Sequence, residues 1–491
     1  MNRPLRRVAV ACLVLFGMLL LQANWVQVVK AKQYRNDPRN KRVLLRTYDR
    51  ERGPIVIGAG KDRQAVAKSI VTTDTLKYLR TYPGGPVYAP ITGFASLVYG
   101  YTGIERQESS VLSGEDDRLF VRRLSDYITG RKIAGGSIVL TLNRAAQQAA
   151  YDGLAGKVGA VVALDPSTGA VLALASRPSY DPTVLSSHDP AAIRKAYNAL
   201  VDNALDPLTN RAIERTYAPG STFKLITAAA ALSKGIAQPD TIIDAPPVLT
   251  FRNGKPLRNF AGEECGSGGR QSLADALATS CNTAFAGLGL RVGQDALNRQ
   301  ATAFGFGSND LRLPQPVADS TFLGGEKGDL AQPFLAQSAI GQYNVQATPL
   351  QMALVAAGIA NHGDVMRPYL VKEVQAPDLS TLDLASPKLL SHAVSSAVAG
   401  QLTSMMEGVV TKGTGGNARI PGVRVAGKTG TAQGAAGDRP NVWFVGFAPA
   451  EDPKVVVAVF LDRASGYDAS ATGGKLAAPI AQAVMRAVLG R

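Results

Sequence analysis

The chain of 491 residues is long enough for two or three domains, and its 46% hydrophobic and 19% charged residues are ordinary for a globular protein and exclude a disordered one. The net charge of +15 is compatible with nucleic acid, but the aromatic fraction of 6% and the lack of a zinc-finger spacing or an aromatic RNA-binding signature argue against that partner. We therefore expect the charge to favour an anionic lipid surface or polymer, and we expect no nucleic acid partner.

The N-terminal residues are typical of a signal anchor. Arg3, Arg6 and Arg7 precede a mainly apolar run over residues 8–29, and its 22 residues reach the length of about 20 that a helix needs to cross a bilayer. The run contains only a poor cleavage site, so we favour an anchor over a cleaved signal. Because positive residues stay on the cytoplasmic side, we predict a cytoplasmic tail at 1–7 and place the remainder of the chain outside the cell membrane.

Residues 30–136 are predicted to form a non-catalytic spacer or docking domain. The segment contains turn signals such as Gly84-Gly85 and shows no catalytic constellation. It begins with five basic residues, Arg35, Arg39, Lys41, Arg42 and Arg46. The string Arg52-Gly53-Pro54-Ile55 that comes next fits, taken alone, an ordinary exposed turn.

A larger domain is predicted over residues 137–491. The apolar runs 161–164 and 170–175 lie on either side of a turn with Asp, Pro and Gly, which predicts a hairpin. Three more strands and a final helix are predicted over residues 424–426, 442–448, 455–461 and 476–489. Strands from both ends with helices between them imply an antiparallel sheet covered by helices, which is an α+β fold.

Ser221 and Lys224 form a candidate nucleophile and base. Pro219 and Gly220 interrupt the chain just before an Ala-rich run, so Ser221 is expected to begin a buried helix and to share one helical face with Lys224. A serine hydroxyl attacks only when a base accepts its proton, so Lys224 must be at least partly neutral, a state that burial and nearby positive charge favour. Taken alone, the pattern is better explained by a helix N-terminus with a solvated lysine.

Ser280-Cys281-Asn282 forms a second candidate element, in a break between helical runs at 272–279 and 283–289. The Asn282 amide offers both a donor and an acceptor, which suits it to a peptide amide. A helix end followed by an N-cap would favour the same residue types.

Lys428, Thr429, Gly430 and Thr431 form a third element, expected to follow a β-run. Gly430 would let a substrate backbone lie close to the strand, Lys428 would supply positive potential, and the hydroxyl of Thr429 or Thr431 could bind a carboxylate. The alternative is a glycine kink in an exposed edge strand.

Each element is a weak signal alone, and Lys412-Gly413-Thr414 shows how easily a similar string arises. Together, at spacings of 59 residues (221 to 280) and 148 residues (280 to 428), they resemble the S-x-x-K, S-x-N and K-T-G elements of the penicillin-binding proteins. The likeness to the class B members runs from about Leu142 to the C-terminus. It is carried by the strings from Gly159 to Gly169, Ser179 to Pro182, Asn210 to Ile213, Tyr217 to Lys224 and Gly427 to Ala432. The whole chain looks most like the actinobacterial penicillin-binding protein A type.

The resemblance implies a fold and an activity. It implies a transpeptidase domain of the penicillin-binding and serine β-lactamase kind at 137–491, preceded by a pedestal or dimerisation-type domain at 30–136. The implied activity is serine D,D-transpeptidation: Ser221 attacks a D-alanyl peptide, and Ser280 relays a proton between Lys224 and the leaving amine. Thr429 or Thr431 would bind the terminal carboxylate, and the backbone N–H groups of Ser221 and Thr431 would form an oxyanion hole.

The resemblance also implies partners. These are peptidoglycan stem peptides, β-lactams as covalent inhibitors, the membrane, a glycan polymerase, and division or elongation proteins. No cofactor and no metal are expected, since His188, His362 and His392 have no partners at ligand spacing. The alternatives are a D,D-carboxypeptidase or a β-lactamase, which pass the acyl group to water, and a non-enzymatic β-lactam sensor or scaffold.

The three cysteines predict one disulfide. Cys12 lies in the predicted membrane helix, which leaves Cys265 and Cys281 together in an oxidising compartment. A bridge between them would contribute about 3 kcal/mol in the chain-entropy model and would hold a Gly-rich loop beside Asn282. The alternative is two free thiols, with Cys281 as a small buried side chain.

Overall fold

A computed structural model describes residues 3–30, 48–58, 60–74, 76–119, 134–252, 254–259, 262, 264–432, 440–464 and 471–491. The basic residues between Arg35 and Arg46 that the sequence singles out lie outside the described residues.

The first element is a long apolar helix, Arg3–Asn24, which continues as a turn of π-helix, Trp25–Val29. Its apolar stretch is long enough to cross a membrane, and none of its side chains is buried. Length and composition therefore fit a single helix that crosses a membrane, as the apolar run at 8–29 predicts.

A five-stranded antiparallel sheet, here called the catalytic sheet, lies at the centre of the larger domain. Its strands, in spatial order, are Ala426–Ala432, Asn441–Ala448, Val455–Leu461, Gly159–Leu164 and Val171–Arg177. The predicted hairpin and the last two predicted strands are confirmed. The strand predicted at 424–426 is wrong in its bounds, because the edge strand begins only at Ala426 and runs on through Lys428 and Gly430.

Helices cover both faces of this sheet. Successive residues of the strand Val455–Leu461 alternate between two apolar cores, as side chains in a pleated strand must. The helices Lys224–Ser233 and Pro349–Ala360, which are almost wholly buried, pack in one core, and Arg144–Gly153 with Ala478–Leu489 pack in the other. The predicted α+β fold and the final helix are thus confirmed.

The remaining described α-helices are Ala89–Thr92, Gly103–Gln107, Ser109–Leu112, Pro190–Val201, Leu273–Thr279, Asn282–Val292, Gln294–Ala303, Gln332–Ser338, Ser396–Thr411 and Gly473–Leu476. Short strands form two-stranded pairs: Ala95–Ser96 with Gly100–Tyr101, Ile242–Asp244 with Arg270–Ser272, Val248–Leu249 with Leu257–Arg258, and Asp364–Met366 with Leu389–His392.

A six-stranded sheet joins the smaller N-terminal domain to the larger one. Its spatial order is Thr381–Leu384, Val371–Gln375, Ser137–Leu140, Ile55–Ile57, Gln64–Val71 and Tyr78–Thr81. Ile55–Ile57 and Ser137–Leu140 pair in parallel. Three of these strands precede residue 137 in the chain, and the other three begin at or after it. The strands Val371–Gln375 and Thr381–Leu384 follow most of the helices of the larger domain in chain order.

Arg52 and Gly53 are buried at this junction rather than exposed in a turn. The Arg52 guanidinium donates to Glu105 at 2.5 Å, and Arg80 donates to the other carboxylate oxygen of Glu105 at 2.6 Å. A Cβ on Gly53 would lie only 1.8 Å from the carbonyl oxygen of Gly136, so only glycine fits. The string that introduces the smaller domain is therefore buried within that domain and holds its own backbone together.

Candidate active site

Ser221 lies on a tight turn at the base of a cleft. A 3₁₀ turn, Gly220–Phe223, carries Ser221 and leads directly into the α-helix Lys224–Ser233. The α-helix was predicted to begin at Ser221 and in fact begins about one turn later. Gly220 has φ +52°, a conformation that glycine adopts without strain, and its N–H donates to the carbonyl of Gly341 at 2.8 Å. Among the described residues, the Ser221 hydroxyl has no hydrogen-bond partner, which leaves it available to a substrate.

Lys224 is fully buried and connects the first two motifs. Its ammonium nitrogen donates to the carbonyl of Ser280 at 2.6 Å and to Oδ1 of Asn282 at 2.8 Å, and it lies 3.4 Å from the Ser280 hydroxyl. Burial, and then the charge of Lys428, hold the pKa of Lys224 well below its ordinary value. Both causes that the sequence requires for a neutral lysine are present.

Ser280 lies between two helices in a left-handed conformation, with φ +62°. Leu273–Thr279 ends just before it, and Asn282–Val292 begins just after it. This break turns the Ser280 hydroxyl toward Lys428, whose ammonium donates to it at 2.8 Å. The hydroxyl therefore sits between the two buried lysines, in the place that a proton relay needs.

The Asn282 side chain is part of the internal network. Its Oδ1 accepts from Lys224, and its Nδ2 donates to the carbonyl of Arg258 at 3.2 Å. The amide predicted to grip a substrate therefore retains one N–H and one lone pair for that purpose.

Asn259 is a positioning residue that sequence reasoning missed. Its buried side-chain oxygen accepts from the backbone N–H groups of Asn282 at 2.9 Å and Thr283 at 3.1 Å. The N-cap residue Cys281 makes no side-chain cap of its own, so Asn259 caps the helix from a neighbouring loop. No local sequence pattern predicts a capping residue that lies more than 20 residues before the helix.

Lys428 is buried within the edge strand. Its ammonium also donates to the carbonyl of Thr429 at 2.9 Å, and burial lowers the pKa of Lys428 to about 7. The K-T-G residues thus form the strand itself rather than following one, and the alternative of an exposed glycine kink is excluded because Lys428 and Gly430 are both buried.

Gly430 is required by the packing of the protein itself. A Cβ at this position would lie 2.9 Å from Thr222 Cγ2 and 3.0 Å from the carbonyl oxygen of Pro219. The turn that carries Ser221 therefore comes close to the strand at Gly430, while the close approach of a substrate backbone stays a prediction. Glycine lets the strand and the nucleophile turn touch, which fixes Ser221 relative to Lys428.

The three motifs meet in one cleft of about 690 Å³. Ser221, Ser280, Asn282, Thr429 and Thr431 all line it, while Lys224 and Lys428 lie buried beneath them. The side chains of Thr429 and Thr431 face the cleft because alternate residues of a strand share one side.

A second wall of the cleft was missed by sequence reasoning. Thr414, from the string that resembled a chance K-T-G match, shares a hydrogen bond with the Thr429 hydroxyl at 2.6 Å. Asn417 donates to the carbonyl of Gly474 at 3.0 Å, and Gly473 approaches the backbone of Gly430. The sequence signal that could have identified this wall is the string Lys412-Gly413-Thr414, which precedes the strand Ala426–Ala432 in the chain.

The predicted disulfide is confirmed. Cys265 and Cys281 are bridged, with their Cα atoms 6.1 Å apart, and both are buried. Since Cys281 lies between Ser280 and Asn282, the bridge ties the loop around Cys265 to the second motif.

Two of the three histidines pair with an aspartate. His188 Nδ1 lies 2.6 Å from Asp74, and His392 Nδ1 lies 2.5 Å from Asp364. Within the described ranges, no group of three or more His, Cys, Asp or Glu side chains is arranged to hold a metal ion.

Comparison with known proteins agrees with this geometry. The sequence model of the penicillin binding protein transpeptidase domain matches residues 159–486, and that of the penicillin binding protein A dimerisation domain matches residues 52–138. Peptidoglycan D,D-transpeptidase PbpA of Mycolicibacterium smegmatis is 48% identical, over 100% of this chain and 99% of its own length. The protein of the same name from Mycobacterium tuberculosis is 47% identical over the same shares.

Solved structures give the same result. The ceftriaxone acyl-enzyme complex of penicillin-binding protein A from M. tuberculosis has a TM-score of 0.86 and 45% identity, over 91% of this chain and 100% of that chain. The imipenem acyl-enzyme complex of that protein has a TM-score of 0.84 and 44% identity, with the same coverage. The chain therefore belongs to the penicillin-binding proteins of the A type, a family of serine-type peptidoglycan D,D-transpeptidases.

Proposed function

We propose that this protein cross-links peptidoglycan from the outer face of the cell membrane, with Ser221 as its nucleophile. Ser221 attacks the penultimate D-Ala carbonyl of a donor stem peptide, the terminal D-Ala leaves, and an acceptor amine from another strand takes the acyl group. The observation that carries this assignment is the convergence of Lys224, Ser280 and Lys428, whose hydrogen bonds span 56 and 148 residues of chain and meet in the cleft that Ser221 lines.

Protons move along this network. Neutral Lys224 accepts the Ser221 proton as the oxygen attacks, because its lowered pKa makes the unprotonated form available. Ser280 donates its own proton to the departing amine and is reprotonated from Lys224. In the second half of the reaction the same steps run in reverse, so that the acceptor amine loses a proton and Ser221 regains one.

Binding groups surround the reacting carbonyl. The Asn282 amide holds the donor backbone, and the Thr429 or Thr431 hydroxyl binds the terminal carboxylate with the positive potential of Lys428 beneath it. The N–H groups of Ser221 and Thr431 form the oxyanion hole, where the loss of one donor typically costs about 3–4 kcal/mol. The contact between Gly430 and the nucleophile turn supports this pairing, because it holds both backbones together.

The described lining of the cleft offers no carboxylate to activate water. Hydrolysis of the acyl-enzyme needs a group that activates water, and a carboxylate is the usual choice. No Asp or Glu is present among the described residues that line the cleft. This composition argues against a β-lactamase that deacylates through a carboxylate, and it favours slow release of a bound β-lactam.

Residues 8–29 cross the membrane in this proposal, with 1–7 in the cytoplasm, a pedestal at 30–136 and the transpeptidase domain at 137–491. The buried disulfide supports an oxidising location for the catalytic domain. A membrane glycan polymerase and proteins of division or elongation are the partners that would supply and organise the glycan strands.

Labelling with fluorescent penicillin tests the assignment. The purified full-length protein should acquire one label per chain on Ser221, and Ser221→Ala should abolish it. Given a donor peptide and a D-amino acid acceptor, the wild type should form the exchanged peptide. Labelling of Ser221→Ala, or rapid turnover of penicillin, would overturn the proposal.

A further inference from the structure

The lining of the active-site cleft is cationic. Lys255, Arg258 and Lys475 contribute to its surface, whereas none of the described lining residues is acidic. Across the described part of the chain, none of these three cations forms an ion pair. Unpaired cations around a concave site raise the local concentration of anionic ligands and favour their binding.

The three cations belong to two different walls. The N–H of Lys475 bonds to the side chain of Thr472, and a Cβ on the adjacent Gly473 would lie 2.7 Å from the carbonyl oxygen of Gly430. Lys475 is therefore next to the K-T-G strand, where the terminal carboxylate is proposed to bind. Arg258, in contrast, accepts a hydrogen bond from Asn282 through its carbonyl and so belongs to the wall of the second motif.

The backbone around Arg258 is held on both sides. Leu257 before it packs in the apolar core and pairs with Leu249 across a short hairpin, and Asn259 after it caps the helix that begins at Asn282. The Arg258 side chain between these two buried neighbours is exposed, and the residue lines the cleft. Its backbone is therefore fixed at the cleft rim, and its guanidinium is open to a ligand.

Lys255 lies at the same rim, three residues earlier. The loop that carries it packs against the helix Gln332–Ser338, because a Cβ on Gly254 would come within 2.6 Å of the Pro333 ring. Both Lys255 and Arg258 are exposed to solvent and free to bind. A guanidinium binds a carboxylate through two parallel N–H groups, and an adjacent ammonium adds a further donor.

We propose that Lys255 and Arg258 form a second carboxylate subsite, which binds an acidic side chain of the donor stem peptide beyond the amide held by Asn282. This subsite is separate from the one for the terminal carboxylate at the K-T-G strand. The inference rests on the proposed transpeptidase function and specifies the donor substrate as a peptide with a second anionic group in its acyl half.

Competition with fluorescent penicillin tests the subsite. Two synthetic peptides that end in D-Ala-D-Ala are compared, identical except that the residue before this pair carries a side-chain carboxylate in one and a carboxamide in the other. The measured quantity is the peptide concentration that halves the labelling of Ser221 in the full-length protein. For the wild type, we expect the carboxylate peptide to compete at a concentration about five to ten times lower than the carboxamide peptide.

The variant Lys255→Gln with Arg258→Gln should reduce this ratio to about one. A general loss of affinity would shift both peptides alike and leave the ratio unchanged, so the ratio reports the subsite alone. Arg252→Gln is the matched control, because Arg252 is an exposed cation between the same paired strands but does not line the cleft. It should keep the wild-type ratio.

The two proposals fail in different ways. The subsite is refuted if the two peptides compete equally with penicillin for the wild type, if neither competes, or if the double variant keeps the preference for the carboxylate peptide. In each of these cases, labelling of Ser221 still supports the nucleophile assignment. If penicillin fails to label Ser221 at all, the proposed function itself is refuted.

Discussion

Lys428 donates a hydrogen bond to the Ser280 hydroxyl at 2.8 Å, although 148 residues of chain separate the two. The same hydroxyl lies 3.4 Å from Lys224, so one serine connects two buried lysines whose pKa values are both lowered. Burying two ammonium groups side by side destabilises the folded state, and such arrangements are typical of catalytic sites.

Ser280 can be tested with two variants that separate chemistry from backbone strain. Ser280→Ala removes the hydroxyl between the lysines and should slow acylation by penicillin roughly 10²- to 10⁴-fold. Ser280→Gly should lose as much activity but be about 1 kcal/mol more stable than Ser280→Ala, because φ +62° suits glycine. Acylation rates and thermal unfolding measure the two effects. Near-normal acylation by Ser280→Ala would show that the proton takes another route.

Asn259 is predicted to act through the helix that it caps. Asn259→Ala removes the acceptor for two backbone N–H groups, which should cost about 1–2 kcal/mol and slow acylation by displacing Ser280 and Asn282. Asn259→Asp keeps the acceptor and adds a favourable charge at a helix N-terminus, so it should retain stability. Equal melting temperatures for Asn259→Ala and the wild type would rule out the capping role.

Gly430 is predicted to tolerate no side chain. Gly430→Ala would press a methyl group against Thr222 and Pro219, which should destabilise the protein by about 1–3 kcal/mol and move the nucleophile turn. Gly400→Ala is the control, because a Cβ there meets no other atom within 4 Å in the helix Ser396–Thr411, and it should gain about 0.5–1 kcal/mol. Thermal unfolding of both variants measures these effects. A melting temperature of Gly430→Ala equal to that of the wild type would contradict the close packing of Gly430 against Thr222 and Pro219.

Lys428 should leave a signature in the pH dependence of stability. Its pKa is about 7 in the folded protein and about 10.4 when unfolded, so between these values the unfolded chain binds more protons and stability rises with pH. Below about pH 7 the burial of Lys428 lowers the free energy of unfolding by its full amount, and this destabilisation disappears as the pH approaches 10. The melting temperature of the wild type, relative to Lys428→Met, should therefore increase from pH 7 to pH 10. A constant difference would show that the Lys428 pKa is not lowered.

The chemistry of the site could be predicted from the sequence because it lies in short strings. Ser221, Lys224, Ser280 and Lys428 are recognised by residue type and spacing. The disulfide followed from the small number of cysteines, since excluding Cys12 leaves a single pairing.

The long-range pairings could not be predicted in the same way. The strand Ala426–Ala432 contains two glycines, which have low strand propensity, and it forms because Asn441–Ala448 supplies a partner along its whole length. The sheet that joins Ile55–Ile57 to Ser137–Leu140 and Val371–Gln375 depends on pairings between segments far apart in the chain, such as Ile55 with Ile138 and Leu140 with Val371. The Asn259 cap depends on the folded loop, so no local pattern could show it.

The central claim is that a neutral Lys224 activates Ser221, and the acylation rate of Lys224→Arg tests it most directly. Arginine keeps a positive charge but does not deprotonate in proteins, so it cannot accept the serine proton. Intact-mass measurement after mixing with penicillin should show that acylation of Lys224→Arg is slowed by at least about 10²-fold. Lys224→Gln, whose side chain is no larger than lysine, is a second variant that should be equally slow, which separates loss of the base from a fold disturbed by the larger arginine. Acylation of both variants near the wild-type rate would contradict the claim, because some other group would then have to activate Ser221.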